Sequence, residues 1–352
     1  MSFPPIQVAN YIISPQHRPF VIAEMSGNHN QSLDRALELV DAAAAAGAHA
    51  LKLQTYTPDT ITFNGQSDEF FIRDNQSLWA DKNLYKLYQD AYTPWEWHGP
   101  IFERAKQHGM VAFSSPFDIT AVDFLESLNV PIYKIASFEN TDHILLKKVA
   151  STGKPVIMST GVATVADIAE SVKVLRDHGC TELILLKCTS TYPATPESTN
   201  LLTIPHMSQL FNVPVGLSDH TMGIGASVAA TALGAVVIEK HFTLRRADGG
   251  VDSAFSLEPD ELKNLVVESE RAFLAMGQIS YIPTPKEQKS LQFKRSLYVV
   301  RDMAAGEAFT PDNVRSIRPA NGLHTRHYDE VLTKTAAQPI TAGTALSWEL
   351  IV

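Results

Sequence analysis

The feature that most constrains the fold is a series of eight short apolar runs that alternate with segments of helical character. The runs are residues 19–24, 48–54, 110–113, 132–137, 155–159, 183–187, 213–217 and 235–240. Runs of this length are typical of buried parallel strands, and eight of them with intervening helices match a (β/α)8 barrel. An open doubly wound sheet is the alternative, but no GxGxxG motif follows the first run. The sequence therefore predicts an α/β protein built on a TIM barrel.

The composition of the chain changes after residue 277. A polar, proline-bearing stretch over residues 278–295 precedes a short β-rich region with turns at Gly306 and Gly343. We expect a barrel domain over 1–277, a linker over 278–295 and a small β-rich domain over 296–352. The residues before the first apolar run are expected to form a short polar arm.

Composition excludes several classes of function. The 352 residues include 29 Lys and Arg and 38 Asp and Glu, for a formal net charge of -9. Nucleic acid and membrane surfaces are therefore not expected as partners. No stretch approaches the ~18 apolar residues of a membrane span, and no signal-peptide pattern opens the chain. The two cysteines, Cys180 and Cys188, lie outside any zinc-like pattern, and we expect a cytoplasmic protein.

Polar side chains recur where the predicted strands end. On a barrel these ends converge at one face, where catalytic groups lie. Lysines and hydroxyls suit a phosphate or carboxylate, and two histidines beside carboxylates suit a divalent metal ion. The pattern predicts a phosphorylated or carboxylated substrate that reacts beside a metal. The strand-end residues are Glu24, Asn28, His29, Lys52, Gln54, Ser115, Asp118, Lys134, Ser137, Ser159, Ser190, Tyr192, Ser218, Asp219, His220, Glu239 and His241.

Each of these residues also has an ordinary structural interpretation. Ser137, Ser159 and Ser218 could cap the helices that follow them. Lys134 could be a surface lysine, and Glu239 a paired structural carboxylate. Lys240 lies between Glu239 and His241, so alternation along a strand turns it away from both, and we expect it to be structural.

An ordered series of motifs resembles the sialic-acid synthase family, and the resemblance covers essentially the whole chain. The small C-terminal region, with Arg318-Pro319 and Gly322, resembles the antifreeze-like (SAF) domain of that family. The motifs are Ala23-Glu24, Asn28-His29-Asn30, Lys52-Leu53-Gln54, Ser115-Pro116-Phe117-Asp118, Lys134-Ile135-Ala136-Ser137, Ser159-Thr160-Gly161, Tyr192-Pro193, residues 216–221 and residues 239–243.

The resemblance implies a metal-dependent condensation of phosphoenolpyruvate with an N-acetylated amino sugar and water, by C–O cleavage. It implies that His220 and His241 bind the metal, with Mn²⁺ expected and Mg²⁺ or Co²⁺ as alternatives. Glu24 and Glu239 are candidates for sugar binding or proton transfer, and Gln54 and Asp252 for substrate binding. The residues that match the family's phosphoenolpyruvate contacts are Lys52, Lys134, Ser137, Ser159, Ser190, Tyr192 and Ser218.

Within the family, four segments look most like the pseudaminic acid synthases: residues 28–30, 84–88, 93–98 and 252–259. This implies 2,4-diacetamido-2,4,6-trideoxy-beta-L-altropyranose as the sugar. An N-acetylneuraminate or legionaminate synthase of the same chemistry is the alternative, and a non-catalytic barrel that binds sugar or anions is the alternative from another class. The sequence departs from the family pattern at two places. Ser190 stands where many family members have Asn, and Gly249-Gly250-Val251-Asp252 stands where they usually have Gly-Pro-Asp.

The resemblance also implies an assembly. In this family the C-terminal domain of one subunit reaches over the barrel of its partner, and an arginine there contacts the acyl group of the sugar. Arg318 matches that arginine, although a surface arginine beside a turn proline is the alternative. We therefore expect a domain-swapped homodimer.

Overall fold

The computed structural model describes residues 3–75 and 77–352. Within these residues the chain divides into two compact units, the first ending at Gly277 and the second running from Gln278 to Val352.

The first unit begins with a β-hairpin rather than the polar arm expected from the sequence. Strands β1 (Ile6–Val8) and β2 (Tyr11–Ile13) pair in antiparallel register. Ile6, Val8 and Ile13 are buried in the main hydrophobic core, and the Tyr11 ring packs edge-on against Phe20. The expectation of a polar arm is wrong because the apolar residues alternate with polar ones and form no run.

Eight parallel strands of the described residues then close into a barrel, which confirms the predicted fold class. The last strand pairs with the first, so the open-sheet alternative is excluded. The strands are β3 (Phe20–Glu24), β4 (Ala50–Thr55), β5 (Val111–Pro116), β6 (Tyr133–Ile135), β7 (Val156–Ser159), β8 (Leu183–Cys188), β9 (Val215–Asp219) and β10 (Val237–His241).

Helices cover the outside of the barrel, and their first residues follow local capping rules. Ser32 and Thr164 accept hydrogen bonds from backbone amides in the first turns of the helices that follow them. The helices of this unit are α1 (Leu33–Ala45), α2 (Pro58–Ile61), α3 (Leu84–Ala91), α4 (Trp95–Gln107), α5 (Ile119–Ser127), α6 (His143–Ala150), α7 (Val165–Asp177), α8 (Thr203–Phe211), α9 (Gly225–Ala232) and α10 (Pro259–Met276).

The connection between β4 and β5 is the longest in the barrel unit. It contains α2, α3 and α4. We call the part that precedes α4, residues 56–93, the excursion. The other segments that matter for the site are short: a 3-10 turn at Ser137–Glu139 after β6, and another at Ser253–Phe255 after β10.

The second unit is small and β-rich. It contains α11 (Pro285–Gln288), the antiparallel pair β11 (Ser296–Val299) and β12 (Val314–Ile317), and α12 (Tyr328–Val331). Leu297, Val299, Phe309, Val314 and Val331 form a hydrophobic core of their own. Residues 278–295 are exposed along their whole length. Among the residues described, no helix is both long and apolar enough to cross a bilayer.

Candidate active site

The site begins with the closure of the barrel. In the ladder between β10 and β3, His241 lies opposite Glu24, and in the next ladder Glu24 lies opposite Lys52. Register neighbours in parallel strands project to the same face. Three side chains that are far apart in sequence therefore meet at the carboxyl ends of their strands, as the strand-end argument predicts.

A buried cluster of charges lies at this end of the barrel. The Lys52 ammonium is 2.6 Å from Glu24 Oε2 and 4.0 Å from Glu239 Oε1. Lys134 Nζ is 3.6 Å from the same Glu239 oxygen, which also accepts a hydrogen bond from Ser218 at 3.2 Å. Lys52 also donates to Ser115. The two ammonium groups are paired with two carboxylates, as buried charges must be to remain stable, and the four groups lie in one small volume at the strand ends.

The two carboxylates of this cluster differ in acidity. Burial raises the pKa of Glu24 to about 7, against the opposing effect of Lys52, and the nearby charge of Glu239 adds to the rise. Burial also opposes ionisation of Glu239, but Lys134 and Lys52 together hold its pKa below the ordinary value. Glu24 can therefore exchange a proton near neutral pH, whereas Glu239 remains ionised.

The two lysines also differ. Burial lowers the pKa of Lys134, and the attraction of Glu239 only partly offsets this. Burial acts on Lys52 as well, but Glu239 and Glu24 raise its pKa above the ordinary value. Lys52 therefore stays protonated, whereas Lys134 loses its proton more readily than an ordinary lysine.

Several hydroxyl groups lie at the strand ends that carry the lysines. Ser137 Oγ accepts a hydrogen bond from the Gly161 amide at 3.2 Å, and Ser159 Oγ is buried without a partner among the described residues. A Cβ on Gly161 would overlap the hydroxyls of Ser137 and Ser190, so the glycine keeps open the space between them. No side chain of Ser137, Ser159 or Ser218 caps a helix of the structure, which removes the capping interpretation.

The two predicted metal ligands lie side by side. The ring centroids of His220 and His241 are 5.3 Å apart, and both rings are buried. His220 Nδ1 is 3.0 Å from the carbonyl oxygen of Thr189, which fixes that nitrogen as a donor and leaves Nε2 with a lone pair. His241 Nδ1 is buried without a hydrogen-bond partner among the described residues and lies 3.6 Å from Asp252 Oδ2.

This arrangement fits a divalent ion held by two imidazoles. Burial above all lowers the pKa of His241 well below its ordinary value, so its ring is neutral, as a ligand must be. The pKa of His220 is raised against burial by its contact with Cys188, so an ion bound here would have to displace a proton from His220 more often than from His241. The part of the chain that the structure describes contains no group of three or more His, Cys, Asp or Glu in ligand-like positions. Water and substrate would therefore supply the remaining ligands of an ion bound here.

A chain of hydrogen bonds connects the carboxylates. Ser26 donates to Asp252, and the Gln54 amide donates to Glu24 at 2.8 Å and to Ser26 at 3.2 Å. Burial raises the pKa of Asp252. Gln54 and Asp252 therefore lie at the same end of the barrel as Glu24, as the sequence predicts.

Other strand-end residues have structural roles. Asp118 caps α5 through hydrogen bonds from the Thr120 and Ala121 amides, and Asp219 pairs with Lys240 at 2.8 Å. Both aspartates follow strands, as the sequence pattern indicates, but each is used by its own surroundings. The same ion pair confirms that Lys240 is structural.

The N-terminal motif is also structural in its contacts. The amide of Asn28 donates to the Phe242 carbonyl and the Ser256 hydroxyl, and the ring of His29 bonds with Thr93. Burial lowers the pKa of His29 to about 4, so the ring is neutral. Asn28 therefore holds the loop that follows β10 in place, and His29 contacts the end of the excursion.

Several residues near the site were missed by sequence reasoning. Glu139 follows β6, and burial raises its pKa to about 7 against the charge of Lys134. Cys188 Sγ lies 3.9 Å from His220 Nδ1. Phe255 packs on His241 at 4.9 Å, and Trp79 packs on Tyr192 at 5.6 Å. A glutamate in a loop and a tryptophan in a long connection carry no periodic signal, whereas the position of Cys188 at the end of a strand could have identified it.

Arg318 lies in the second unit, directly after β12. Its predicted contact with a sugar in a partner subunit stays a prediction.

Comparison with known proteins identifies the family. The NeuB family model matches residues 39–281, and the SAF domain model matches residues 294–352. The pseudaminic acid synthase of Campylobacter jejuni is 44% identical over 97% of this chain and 98% of its own length. That of Helicobacter pylori is 43% identical over 94% and 96%.

More distant relatives are named as synthases of other products. The N,N'-diacetyllegionaminic acid synthase of Campylobacter jejuni is 36% identical over 91% of this chain and 96% of its own. A solved N-acetylneuraminic acid synthetase from Leptospira borgpetersenii is 32% identical, with a TM-score of 0.73 over 83% of this chain and 96% of the other. The chain therefore belongs to the NeuB family of sialic acid synthase-type enzymes and carries a C-terminal SAF domain.

Proposed function

We propose that this protein is a pseudaminic acid synthase, which condenses phosphoenolpyruvate with 2,4-diacetamido-2,4,6-trideoxy-beta-L-altropyranose and water to give pseudaminic acid and phosphate. The observation that carries the proposal is the buried pair Lys52 and Lys134, which share Glu239 as a partner at the end of the barrel where the rings of His220 and His241 also lie. The names of the relatives at 43–44% identity support this choice of sugar.

The lysine side of the site suits phosphoenolpyruvate. Lys52 and Lys134 would neutralise its phosphate and carboxylate, and the surrounding hydroxyls would donate to the remaining oxygens. The unpartnered Ser159 hydroxyl and the space beside Gly161 support this placement. We assign Ser137, Ser159, Ser190, Tyr192 and Ser218 to this half of the site.

The histidine side suits the aldehyde of the sugar. We assign His220 and His241 as ligands of a divalent ion, Mn²⁺ by preference because a mixed imidazole and oxygen environment suits it. When bound there, the ion supplies Lewis-acid polarisation of the aldehyde oxygen. Asp252 and Gln54 would orient the sugar hydroxyls and amides, since Gln54 donates to Glu24 and Asp252 is connected to Gln54 through Ser26.

The two glutamates would have different roles, one in stabilising positive charge and the other in transferring protons. As the enolpyruvyl carbon attacks the aldehyde, positive charge develops at the adjacent carbon, and the ionised Glu239 would stabilise it. Glu24, whose pKa is near 7, would supply the proton that the aldehyde oxygen gains and recover one from the attacking water. The resulting intermediate then expels phosphate by C–O cleavage and leaves the α-keto acid.

We also propose that the functional unit is a homodimer in which Arg318 contacts the acyl group of the sugar bound in the partner's barrel. A SAF domain over residues 294–352, present here as in the family, supports this proposal.

The direct test is phosphate release from phosphoenolpyruvate with each of three sugars: the 2,4,6-trideoxy altrose derivative, N-acetylmannosamine and the legionaminic acid precursor. We expect turnover with Mn²⁺ and a clear preference for the first. Equal turnover of N-acetylmannosamine would contradict the choice of sugar, and no phosphate with any of them would favour a non-catalytic binding barrel.

Two sets of variants test the assignments. Lys134→Gln should lose phosphoenolpyruvate turnover, whereas Lys154→Gln, which changes a lysine paired with Glu126 ahead of β7, should keep it. His220→Ala and His241→Ala should each abolish Mn²⁺ binding measured by calorimetry, while His143→Ala keeps it, and EDTA should inactivate the parent. Near-parental Mn²⁺ affinity in either site variant would refute the pairing.

A further inference from the structure

Trp79 connects the excursion to two loops at the carboxyl end of the barrel. Its indole Nε1 donates to the carbonyl oxygen of Val251 at 3.0 Å, one residue before Asp252. Its ring packs on Tyr192, in the loop after β8, with the centroids 5.6 Å apart. A residue of the longest connection is therefore fixed over the end of the barrel where the site lies.

One aromatic ring separates Trp79 from the metal-binding side of the site. The Tyr192 ring packs on Trp79 with the centroids 5.6 Å apart, and it lies 4.5 Å from the His220 ring. A sugar with its aldehyde carbon at the histidines and its carbon chain directed along this row of rings would place its far carbon, C6, on the indole side.

The chemistry of the Trp79 side chain favours an apolar group at that end. The only polar atom of the indole is its N–H group, and the Val251 carbonyl already accepts it. The side chain is half-buried, so part of its ring surface remains open. The other aromatic rings of this region, Tyr192 and Phe255, extend the same apolar wall, with their centroids 5.3 Å apart.

The neighbouring aromatic cluster does not offer an equivalent surface. Tyr56, which packs against Tyr88 and Phe117, is only 2% exposed. Its ring is occupied by protein contacts, which leaves Trp79 as the better candidate for the wall.

We propose that Trp79 is the residue that selects a 6-deoxy sugar, by packing its indole against the C6 methyl group. This inference rests on the proposed function and names the discriminating contact within it. A hydroxyl on C6 would lose its water at this wall and find no partner there. Because an apolar pocket rejects an added hydroxyl only moderately, the expected preference is about tenfold and at most about 100-fold.

The test uses two sugars that differ only at C6: the 2,4-diacetamido-2,4,6-trideoxy altrose derivative and its analogue with a hydroxyl on C6. In Trp79→Asn we expect the ratio of kcat/KM values for the two sugars to fall from about tenfold to near one. The change should be larger in the KM for the sugar than in the KM for phosphoenolpyruvate, because Trp79 contacts neither lysine and reaches the phosphoenolpyruvate half of the site only through Tyr192. Trp79→Phe, which keeps a ring, should keep most of the preference.

Trp95→Phe is the matched control. Trp95 also donates its indole N–H to a backbone carbonyl, that of Tyr56, and stacks on Phe124 of α5. The ratio should be parental in this variant. An unchanged ratio of the two kcat/KM values in Trp79→Asn overturns the proposal. This includes the case in which kcat/KM falls equally for both sugars while the thermal midpoint is parental. Failure of the proposed function itself would be distinguishable, because the parent enzyme would then release no phosphate with either sugar.

Discussion

Glu239 and Lys240 are adjacent in sequence, yet their side chains lie on opposite sides of the barrel wall. Glu239 contacts Lys134 and Ser218 inside, whereas Lys240 pairs with Asp219. Alternation along a strand predicts this division, and the prediction that Lys240 is structural is confirmed. Alternation does not predict the position of Glu139, because this residue lies in a turn after β6 rather than in a repeating pattern.

Gly161 should matter because of its missing side chain. Its backbone does not need the left-handed region, so Gly161→Ala tests added volume alone. The methyl group would fill the space between the Ser137 and Ser190 hydroxyls, and we expect a loss of about 10- to 100-fold in kcat/KM for phosphoenolpyruvate. Steady-state kinetics would measure it.

Gly99→Ala is the control for that substitution. Gly99 lies within α4, where an added Cβ meets nothing within 4 Å. The Gly99→Ala variant should have parental activity and a stability equal to or slightly higher than that of the parent. Parental phosphoenolpyruvate kinetics in Gly161→Ala would remove Gly161 from the substrate site.

Glu139 should make stability depend on pH. Its folded pKa of about 7 lies above the ordinary value of 4.5, so the folded state binds a proton more tightly than the unfolded state. The favourable contribution of Glu139 to the free energy of unfolding is therefore lost as the pH rises from about 4.5 to 7. Glu139→Gln removes the penalty and should stabilise the protein by about 1–3 kcal/mol at pH 8.

Urea denaturation at pH 8 and pH 5 would measure this difference, which should be small at pH 5. The exposed Glu103 provides the control, and Glu103→Gln should change stability little at either pH. A gain for Glu139→Gln that is equal at both pH values would contradict a titration of Glu139 in this range.

At the scale of elements, the eight barrel strands were predictable because each is an apolar run between polar segments. The N-terminal hairpin was not, because strands of three residues carry too few apolar side chains to form a run. The path of the excursion was also not predictable, since nothing in its sequence shows that Trp79 returns to the end of the barrel. The lysines, serines and histidines could be found because they lie at strand ends, whereas Trp79 and Phe255 are positioned by loops.

The hairpin should contribute stability without contributing to catalysis. Ile13 is 1% exposed and belongs to the main core, so Ile13→Ala should destabilise the protein by about 2–4 kcal/mol. Ile12 is 43% exposed on the other face of β2, so Ile12→Ala should cost less than about 0.5 kcal/mol. Chemical denaturation of both variants would measure the difference. Equal stability of the two would show that the hairpin does not belong to the core.

At the scale of the whole molecule, the proposed swap of the C-terminal domain predicts complementation. His241→Ala should inactivate a barrel, and Arg318→Ala should weaken sugar use with phosphoenolpyruvate binding preserved. In a swapped heterodimer of these two variants, one of the two sites combines an intact barrel with an intact Arg318. With random pairing of chains, the mixture should regain about a quarter of parental activity.

Co-expression of the two variants with different tags, followed by purification and phosphate assay, would measure this gain. A mixture of separately purified variants assayed before chains exchange is the control and should show only residual activity. If the co-expressed mixture also stays residual, each barrel uses its own Arg318.

The ladder between β3 and β10 has a consequence for synthesis of the protein. Glu24 and His241 are register neighbours in that ladder, so the first and last barrel strands must both be available before the site exists. A ribosome-bound chain that has not yet released β10 has strand β3 unpaired on one side. Long-range pairing of this kind is slow to form, and the unpaired edge of β3 is open to wrong partners until it does. Enzymatic activity in this protein therefore reports completion of the barrel, and every residue up to His241 must be made before the first turnover.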